Sequence, residues 1–198
     1  MSKDKLSKYK KKRDFTKTKE PGGDKKSSSK KNIFVVQEHQ ASNHHFDFRI
    51  QSGDVLKSWA VPKGPSTDPD EKRMAQPTED HPLDYADFEG EIPEGEYGAG
   101  TVIVWDTGSY KNMREEKEDD GKNIEESYKD GKIEIWLEGE KLKGGYALIK
   151  MKGREQWLMI KMKDDEADAR RNPVNTEKES IKSGKTLEEL QKEKEDGD

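Results

Sequence analysis

The chain has 198 residues, of which 28% are hydrophobic and 41% are charged. This length suits one domain, but so little apolar material predicts that part of the chain stays unfolded. The absence of cysteine excludes disulfides, thiolate metal sites and a cysteine nucleophile. There is no apolar run typical of a signal peptide, and no segment approaches the ~20 apolar residues of a membrane helix. We therefore expect a soluble, cytoplasmic protein with no membrane partner.

Charge and aromatic residues divide the chain into segments. Residues 1–31 carry a net charge of +9, residues 32–163 carry -9 and residues 164–198 carry -5. All aromatic residues except Tyr9 and Phe15 lie in the middle segment, which is therefore the candidate domain. A basic arm favours a polyanionic partner, because neutralised phosphates release counterions on binding. A solvated, disordered arm would explain the same charge.

Seven runs of β-branched and aromatic residues lie between turn-forming residues and predict strands. Two short links, at 51–54 and 152–155, are typical of antiparallel hairpins. Many short strands in one domain indicate a barrel or a sandwich. The predicted strands are 32–37, 45–50, 55–61, 101–106, 132–138, 145–151 and 156–162.

The connecting segments carry their own predictions. Residues 62–100, rich in proline and glycine, predict a long ordered loop, the kind of element on which binding sites are usually built. The highly charged run 114–131 is expected to be a solvated loop. The tail after residue 163 is expected to be disordered, with a short surface helix at 186–196 as the alternative.

The stretch HHFDFRI predicts a strand with chemistry on one face. Alternation sends His45, Asp47 and Arg49 to one side, with Cα atoms at i and i+2 roughly 6.6 Å apart. His45 and Asp47 could therefore lean toward one cation, with His39 as a third ligand from the end of the preceding strand. Two imidazoles and one carboxylate leave coordination positions open. His44 faces the other way and is expected to be a strand-edge residue.

Arg49 continues that polar face. A guanidinium beside a cation makes sense if an anion lies between them, and phosphate fits both partners. An ordinary solvated face with cross-strand salt bridges would have the same alternation.

A second cluster lies in residues 79–90. His81 and Tyr85 could reach the same phosphate as hydrogen-bond donors or proton carriers, and Lys63 and Arg73 lie in the same predicted loop. A lone histidine before a proline is more often structural.

Several long motifs occur together in one order: HxxxxxHFDFR, LKSWAVPKGPS, EDHPLDYADFEGEIPEGEYGAGTV and KGGYALIK. Together they closely resemble the 3′-phosphoesterase domain of bacterial and archaeal DNA ligase D. The resemblance runs from about Arg13 to Lys163. Because no ligase or polymerase motif accompanies it, the chain looks like a free-standing form of that domain.

The resemblance implies a manganese-dependent hydrolase that trims the 3′ ends of DNA primer strands, with other divalent transition metals as alternatives. It would remove a terminal ribonucleoside, then the remaining 3′-phosphate, and leave a 3′-OH for repair synthesis and ligation. Its partners would be a primer-template with such an end and a separate DNA ligase and polymerase. The implied metal ligands are His39, His45 and Asp47, the implied catalytic residues are Arg49, His81 and Tyr85, and the implied substrate-binding residues are Arg13, Asp14, Glu20, Gln37, Lys63, Arg73 and Glu79.

We therefore expect a mainly β, single-domain antiparallel β-barrel with long active-site loops and little helix. Its expected divisions are a basic flexible arm at 1–12, the barrel domain at 13–163 with a partly ordered segment at 13–31 over the site, and the charged tail at 164–198. Two other functions remain open. One is a binding module that grips DNA ends and recruits a ligase without chemistry, and the other is a non-haem iron oxygenase with a two-His-one-carboxylate site.

Overall fold

The computed structural model describes residues 4–24 and 32–197. Nine antiparallel strands form one sheet; eight of them close into a barrel through the pairing of β1 with β6, and β5 adds to β6 outside the ring. The strands are β1 (Ile33–Gln40), β2 (His44–Ser52), β3 (Val55–Val61), β4 (Lys72–Pro82), β5 (Gly90–Ile92), β6 (Gly100–Asn112), β7 (Lys132–Gly139), β8 (Lys143–Lys150) and β9 (Trp157–Lys161).

Little of the described chain is helical. The four α-helices are α1 (Ser7–Lys11), α2 (Ile124–Asp130), α3 (Pro173–Thr176) and α4 (Leu187–Asp196), and a 3₁₀ helix spans Leu83–Asp87. Within the part of the chain that the structure covers, no helix combines the length and apolar character needed to cross a bilayer. The predicted mainly β barrel is confirmed, and so are all seven predicted strands and both hairpins.

The barrel interior is filled by alternate residues of its strands. Phe34, Phe48, Trp59 and Trp105 are fully buried there, together with Trp157. A second apolar cluster, which includes Tyr9, Val35, Leu56 and Tyr85, lies against the outer face of the sheet. Because Phe46, Phe48 and Ile50 point inward, His45, Asp47 and Arg49 lie on this outer face beside the second cluster.

The prediction of one long loop across residues 62–100 is wrong, because β4 and β5 lie within it. The sequence of β4 is charged and contains Pro77 and Pro82, which disfavour a strand reading. The structure accommodates Pro77 because β4 pairs with β9 only through residues 72–75, so that edge of β4 is free of ladder bonds beyond Ala75.

The charged run 114–131 is also more ordered than expected. It ends in α2, which begins with a capping box between Asn123 and Glu126, and whose Tyr128 stacks on Trp157 at 5.2 Å. Arg114 is buried and donates two hydrogen bonds to Asp120. The polar composition of this run therefore gave no indication that Tyr128 packs against the barrel or that Arg114 is buried.

Both flanks contact the barrel. On the N-terminal side, Tyr9 of α1 is fully buried. On the C-terminal side, the Glu177 carbonyl accepts a hydrogen bond from the Trp105 indole of β6, and the Ile181 amide donates to the Val104 carbonyl. The alternative of a surface helix near 186–196 agrees with α4. The division at residues 12 and 163 stays a prediction. Residues 1–3 of the predicted arm, residues 25–31 of the predicted covering segment and Asp198 of the tail lie outside the described residues.

Candidate metal and phosphate site

Strand register brings the three predicted ligands together. His39 of β1 lies directly opposite His45 of β2, and Asp47 follows two residues later on the same face. The Asp47 Oδ2 atom lies 3.7 Å from His39 Nδ1 and 3.3 Å from His45 Nε2. One ligand atom from each residue lies within 4.8 Å of the others, a spacing that a single ion can bridge.

Hydrogen bonds to the backbone fix the orientation of both imidazoles. The Nε2 atom of His39 lies 2.7 Å from the Gly98 carbonyl, and Nδ1 of His45 lies 2.9 Å from the Asn43 carbonyl. Since a carbonyl only accepts, these ring nitrogens carry the protons in the neutral rings. His39 Nδ1 and His45 Nε2 are then the ring atoms that face Asp47, and their lone pairs would be available to a cation bound there, because a carbonyl on the other nitrogen fixes the orientation of a histidine ligand.

The third ligand is a buried carboxylate. Burial alone would raise the pKa of Asp47, but the Arg49 guanidinium, with Nη2 3.4 Å from Asp47 Oδ2, and the two imidazoles hold it well below its usual range. Asp47 is therefore ionised at neutral pH. The donor set of two imidazoles and one carboxylate fits a divalent transition metal and leaves positions open for other ligands.

Arg49 is held from behind. Its Nε donates to Gln37 Oε1 at 2.7 Å, and the Gln37 amide donates to the carbonyls of Tyr85 and Phe88 at 2.8 and 3.0 Å. The guanidinium carbon lies 4.9 Å from the Tyr85 ring centre. Its Nη1 atom is buried and has no hydrogen-bond partner in the described parts of the chain. This pre-positioned donor is available to an anion.

His81 and Tyr85 are buried beside Arg49. Burial, and then the charges of Arg49 and Arg13, lower the pKa of His81 well below its usual value, so the ring is neutral. Its Nδ1 lies 2.8 Å from the Glu79 carbonyl, so Nε2 carries the lone pair and faces the Arg13 guanidinium. Burial and Glu20 raise the pKa of Tyr85 well above its usual value.

The segment of residues 4–24 covers one side of the site. Arg13 donates to Glu20 at 3.0 Å and to Glu79 at 3.2 Å, and its Nη2 lies 3.5 Å from His81 Nε2. The Tyr85 hydroxyl donates to the same Glu20 carboxylate at 2.7 Å. Through Glu79, Arg13 joins this segment to β4.

One cavity of about 310 Å³ unites most of the predicted residues. Glu20 and Gln37 lie behind it and support Tyr85 and Arg49. The predicted residues that line it are Arg13, His39, His45, Asp47, Arg49, Glu79, His81 and Tyr85.

Three predicted substrate-binding residues lie elsewhere. Asp14 is exposed and bonds to the Thr16 amide and hydroxyl, which closes a local turn. Lys63 and Arg73 line a separate cavity of about 330 Å³, together with His44. His44 begins β2 and pairs with Glu38 at 2.7 Å, as expected for a strand-edge residue. Arg73 lies apart from His81 because the two residues stand near opposite ends of β4, and Lys63, which follows β3, lines the same cavity as Arg73.

Sequence reasoning missed three residues near the cavity. Thr78 and Tyr97 line it, and Lys12, placed in the predicted flexible arm, pairs with Glu79 at 3.1 Å. Thr78 lies one residue before Glu79, and Tyr97 lies in the glycine-rich GEYGAG run. A threonine or a tyrosine does not by itself indicate a site. Thr78 is brought to the cavity by the pairing of β3 with β4, and Tyr97 by the fold of its loop.

The fold and the site define a class: β-barrel proteins with a cluster able to hold one divalent cation, next to an arginine able to bind an anion. Residues 37–150 match the family model described as DNA Ligase D 3′-phosphoesterase domain. The chain therefore belongs to this family.

Curated relatives agree with that assignment. The multifunctional non-homologous end joining protein LigD of Pseudomonas aeruginosa is 45% identical over 189 residues, which cover 92% of this chain and 22% of the relative. The LigD protein of Mycolicibacterium smegmatis is 44% identical over 162 residues, which cover 81% of this chain and 21% of the relative. The chain thus spans about a fifth of the length of these relatives.

Proposed function

We propose that this protein is a metal-dependent phosphoesterase that processes the 3′ ends of DNA strands. The observation that carries the proposal is the cluster of His39, His45 and Asp47 beside the unpaired Nη1 of Arg49. A cation site next to a free guanidinium donor suits a phosphate ester, which can engage both. Family membership supports the same chemistry.

The proposed substrates are primer-templates that end in a 3′-ribonucleotide or a 3′-phosphate. In the first reaction, water attacks phosphorus, the bond to the 5′ oxygen of the terminal ribonucleoside breaks, and that oxygen takes a proton. In the second, water releases inorganic phosphate and leaves a 3′-OH. The relatives' names refer to non-homologous end joining, so we propose that a ligase and a polymerase use this 3′-OH.

His39, His45 and Asp47 are the proposed ligands of Mn²⁺, with other divalent transition metals as alternatives. When bound, the ion would polarise a phosphate oxygen and lower the pKa of water. Arg49 stabilises the negative charge that develops on the phosphate, and removal of one such donor typically costs ~10²–10³ in kcat.

His81 is the proposed proton carrier. A neutral ring whose Nε2 lone pair has only a long contact with Arg13 can take a proton from the attacking water and return it to the leaving oxygen. Arg13, 3.5 Å from this nitrogen, opposes protonation in the resting state and so favours transfer onward. Tyr85 is proposed to orient a nonbridging phosphate oxygen, and its ring also holds the plane of the Arg49 guanidinium.

Helix α1 offers a contact for the DNA backbone. Tyr9 anchors it 5.1 Å from the His81 ring, while Lys8, Lys10 and Lys11 are exposed. Exposed lysines beside the site would bind phosphates of the duplex and make affinity fall with salt.

The test is a primer-template with one 3′-ribonucleotide, incubated with each divalent metal in turn and resolved on a gel. We expect Mn²⁺ to support stepwise shortening, first to a 3′-phosphate and then to a 3′-OH, and chelation to stop both steps. Salt-sensitive binding with no turnover in any metal would instead support the non-catalytic binding module.

A further inference from the structure

Thr78 is a cavity residue with no role in the chemistry described above. Its Oγ1 atom is buried and has no hydrogen-bond partner among residues 4–24 and 32–197. A buried hydroxyl without a partner is unfavourable, because it has lost its hydrogen bonds to water. The other buried unpaired atom among the cavity-lining side chains is Nη1 of Arg49. One donor group on each side of a single cavity suggests one shared ligand.

Strand pairing fixes where Thr78 stands. Ser58 of β3 pairs with Arg49 of β2 on one side and with Thr78 of β4 on the other. The three side chains therefore form one row across the outer face of the sheet. With neighbouring strands about 4.8 Å apart, the Cα atoms of Arg49 and Thr78 are separated by roughly 10 Å.

The side chains between Arg49 and Thr78 are small. Ser58 is a small residue whose hydroxyl already donates to the Leu56 carbonyl at 3.2 Å, and Ala60, two residues on, lines the cavity with only a methyl group. A phosphate held by Arg49 would lie over these small side chains. Its oxygens would then come within reach of Thr78, whose hydroxyl has no partner in the described ranges of the chain.

We propose that the Thr78 hydroxyl donates a hydrogen bond to a nonbridging oxygen of the scissile phosphate, opposite Arg49, and so acts as a further catalytic residue. This inference rests on the proposed phosphoesterase function. Because the phosphate is common to the ribonucleotide and 3′-phosphate substrates, Thr78 serves both reactions. Its backbone in β4 holds it on a strand, which limits the motion of the hydroxyl.

The test compares Thr78→Val, which keeps the shape and removes the hydroxyl, with Thr78→Ser, which keeps the hydroxyl. We expect Thr78→Val to lower kcat about 10- to 100-fold on both substrates, the range of one hydrogen bond to a charged group. Thr78→Ser should stay within about threefold of wild type. The matched control is Ser127→Ala, which removes a buried, unpaired hydroxyl in α2 that does not line this cavity, and it should leave kcat unchanged.

Binding of inorganic phosphate to the Mn²⁺-loaded protein gives a readout without turnover. Thr78→Val should weaken it about tenfold, with a melting temperature equal to that of Thr78→Ser. Unchanged phosphate affinity and kcat in Thr78→Val would overturn the assignment while the wild-type activity stands. Loss of activity in Thr78→Val and Thr78→Ser alike would also overturn it, because it would indicate a packing role. Wild-type protein inactive on both substrates would instead contradict the proposed function itself.

Discussion

His44 and His45 are neighbours in the sequence but line two different cavities of nearly equal volume. His45 lines the cavity of about 310 Å³ that contains His39, Asp47 and Arg49, whereas His44 lines the cavity of about 330 Å³ that contains Lys63 and Arg73. The first brings a buried carboxylate together with two oriented imidazoles. The second is lined by cationic side chains and, within the described residues, by no carboxylate. The comparison separates a cavity whose residues could hold both a cation and an anion from one whose charged lining residues, Lys63 and Arg73, could contact an anion.

The largest expected effect separates the two histidines. His45→Ala removes an oriented ligand, so we expect loss of both esterase activities beyond the ~100-fold that follows removal of a residue supporting a metal ligand. His44→Ala removes the hydrogen bond to Glu38 and the edge-on contact with Phe46, both outside the cluster, and should retain activity within a few-fold. Rates on 3′-ribonucleotide and 3′-phosphate primers measure both. Equal losses in the two variants would remove the distinction between the cavities.

Arg49 should show the next largest effect. Arg49→Lys keeps a positive charge but loses the fork that bonds Gln37 and the phosphate together, so kcat should fall ~10²–10³-fold. The KM and the melting temperature should change much less. A kcat near wild type in Arg49→Lys would mean that charge alone suffices and that the unpaired Nη1 has no part in the reaction.

The covering segment gives a smaller, graded comparison. Arg13 lies between the buried carboxylates of Glu20 and Glu79, so Arg13→Ala should destabilise the segment locally by roughly 3–5 kcal/mol. Faster hydrogen exchange in residues 4–24 and a slower reaction should result. Asp14→Ala removes an exposed turn contact and should cost less in both measurements. A greater loss of activity in Asp14→Ala would place Asp14 on the substrate.

The smallest effect is expected in the cavity that is lined by His44, Lys63 and Arg73. Arg73→Ala should raise KM for a primer-template about five- to tenfold with kcat retained, since a charge-assisted contact to the DNA backbone contributes binding alone. The raised KM should also depend less on salt. Arg154→Ala, which removes an exposed arginine from the β8–β9 turn, is the control. A fall in kcat in Arg73→Ala would join the two cavities into one catalytic unit.

The sequence predicted the centre of the site well because it lies on two regular strands. Period-two alternation in β2 was enough to place His45, Asp47 and Arg49 together, and one hairpin placed His39 opposite His45. The support that Gln37 and Tyr85 give to Arg49 requires the 3₁₀ helix to fold onto the sheet. That packing has no signature in local sequence.

Long-range pairing explains the remaining differences. Charged residues and prolines made β4 look like loop, so Lys63, Arg73 and His81 were assigned to one region although β4 carries Arg73 and His81 to different cavities. Tyr9 in a lysine-rich arm gave no sign of full burial, because its partners, His81 and Tyr85, are more than 70 residues away. The composition of this segment correctly indicated that it is polar, but it did not indicate that the segment packs in an ordered way against the barrel.

The most direct test of the metal site is a crystal of the protein grown with Mn²⁺, measured at the manganese absorption edge. The account predicts one anomalous peak among His39 Nδ1, His45 Nε2 and the Asp47 carboxylate, within bonding distance of all three. A peak at another position, or none among these three atoms at saturating Mn²⁺, would contradict it.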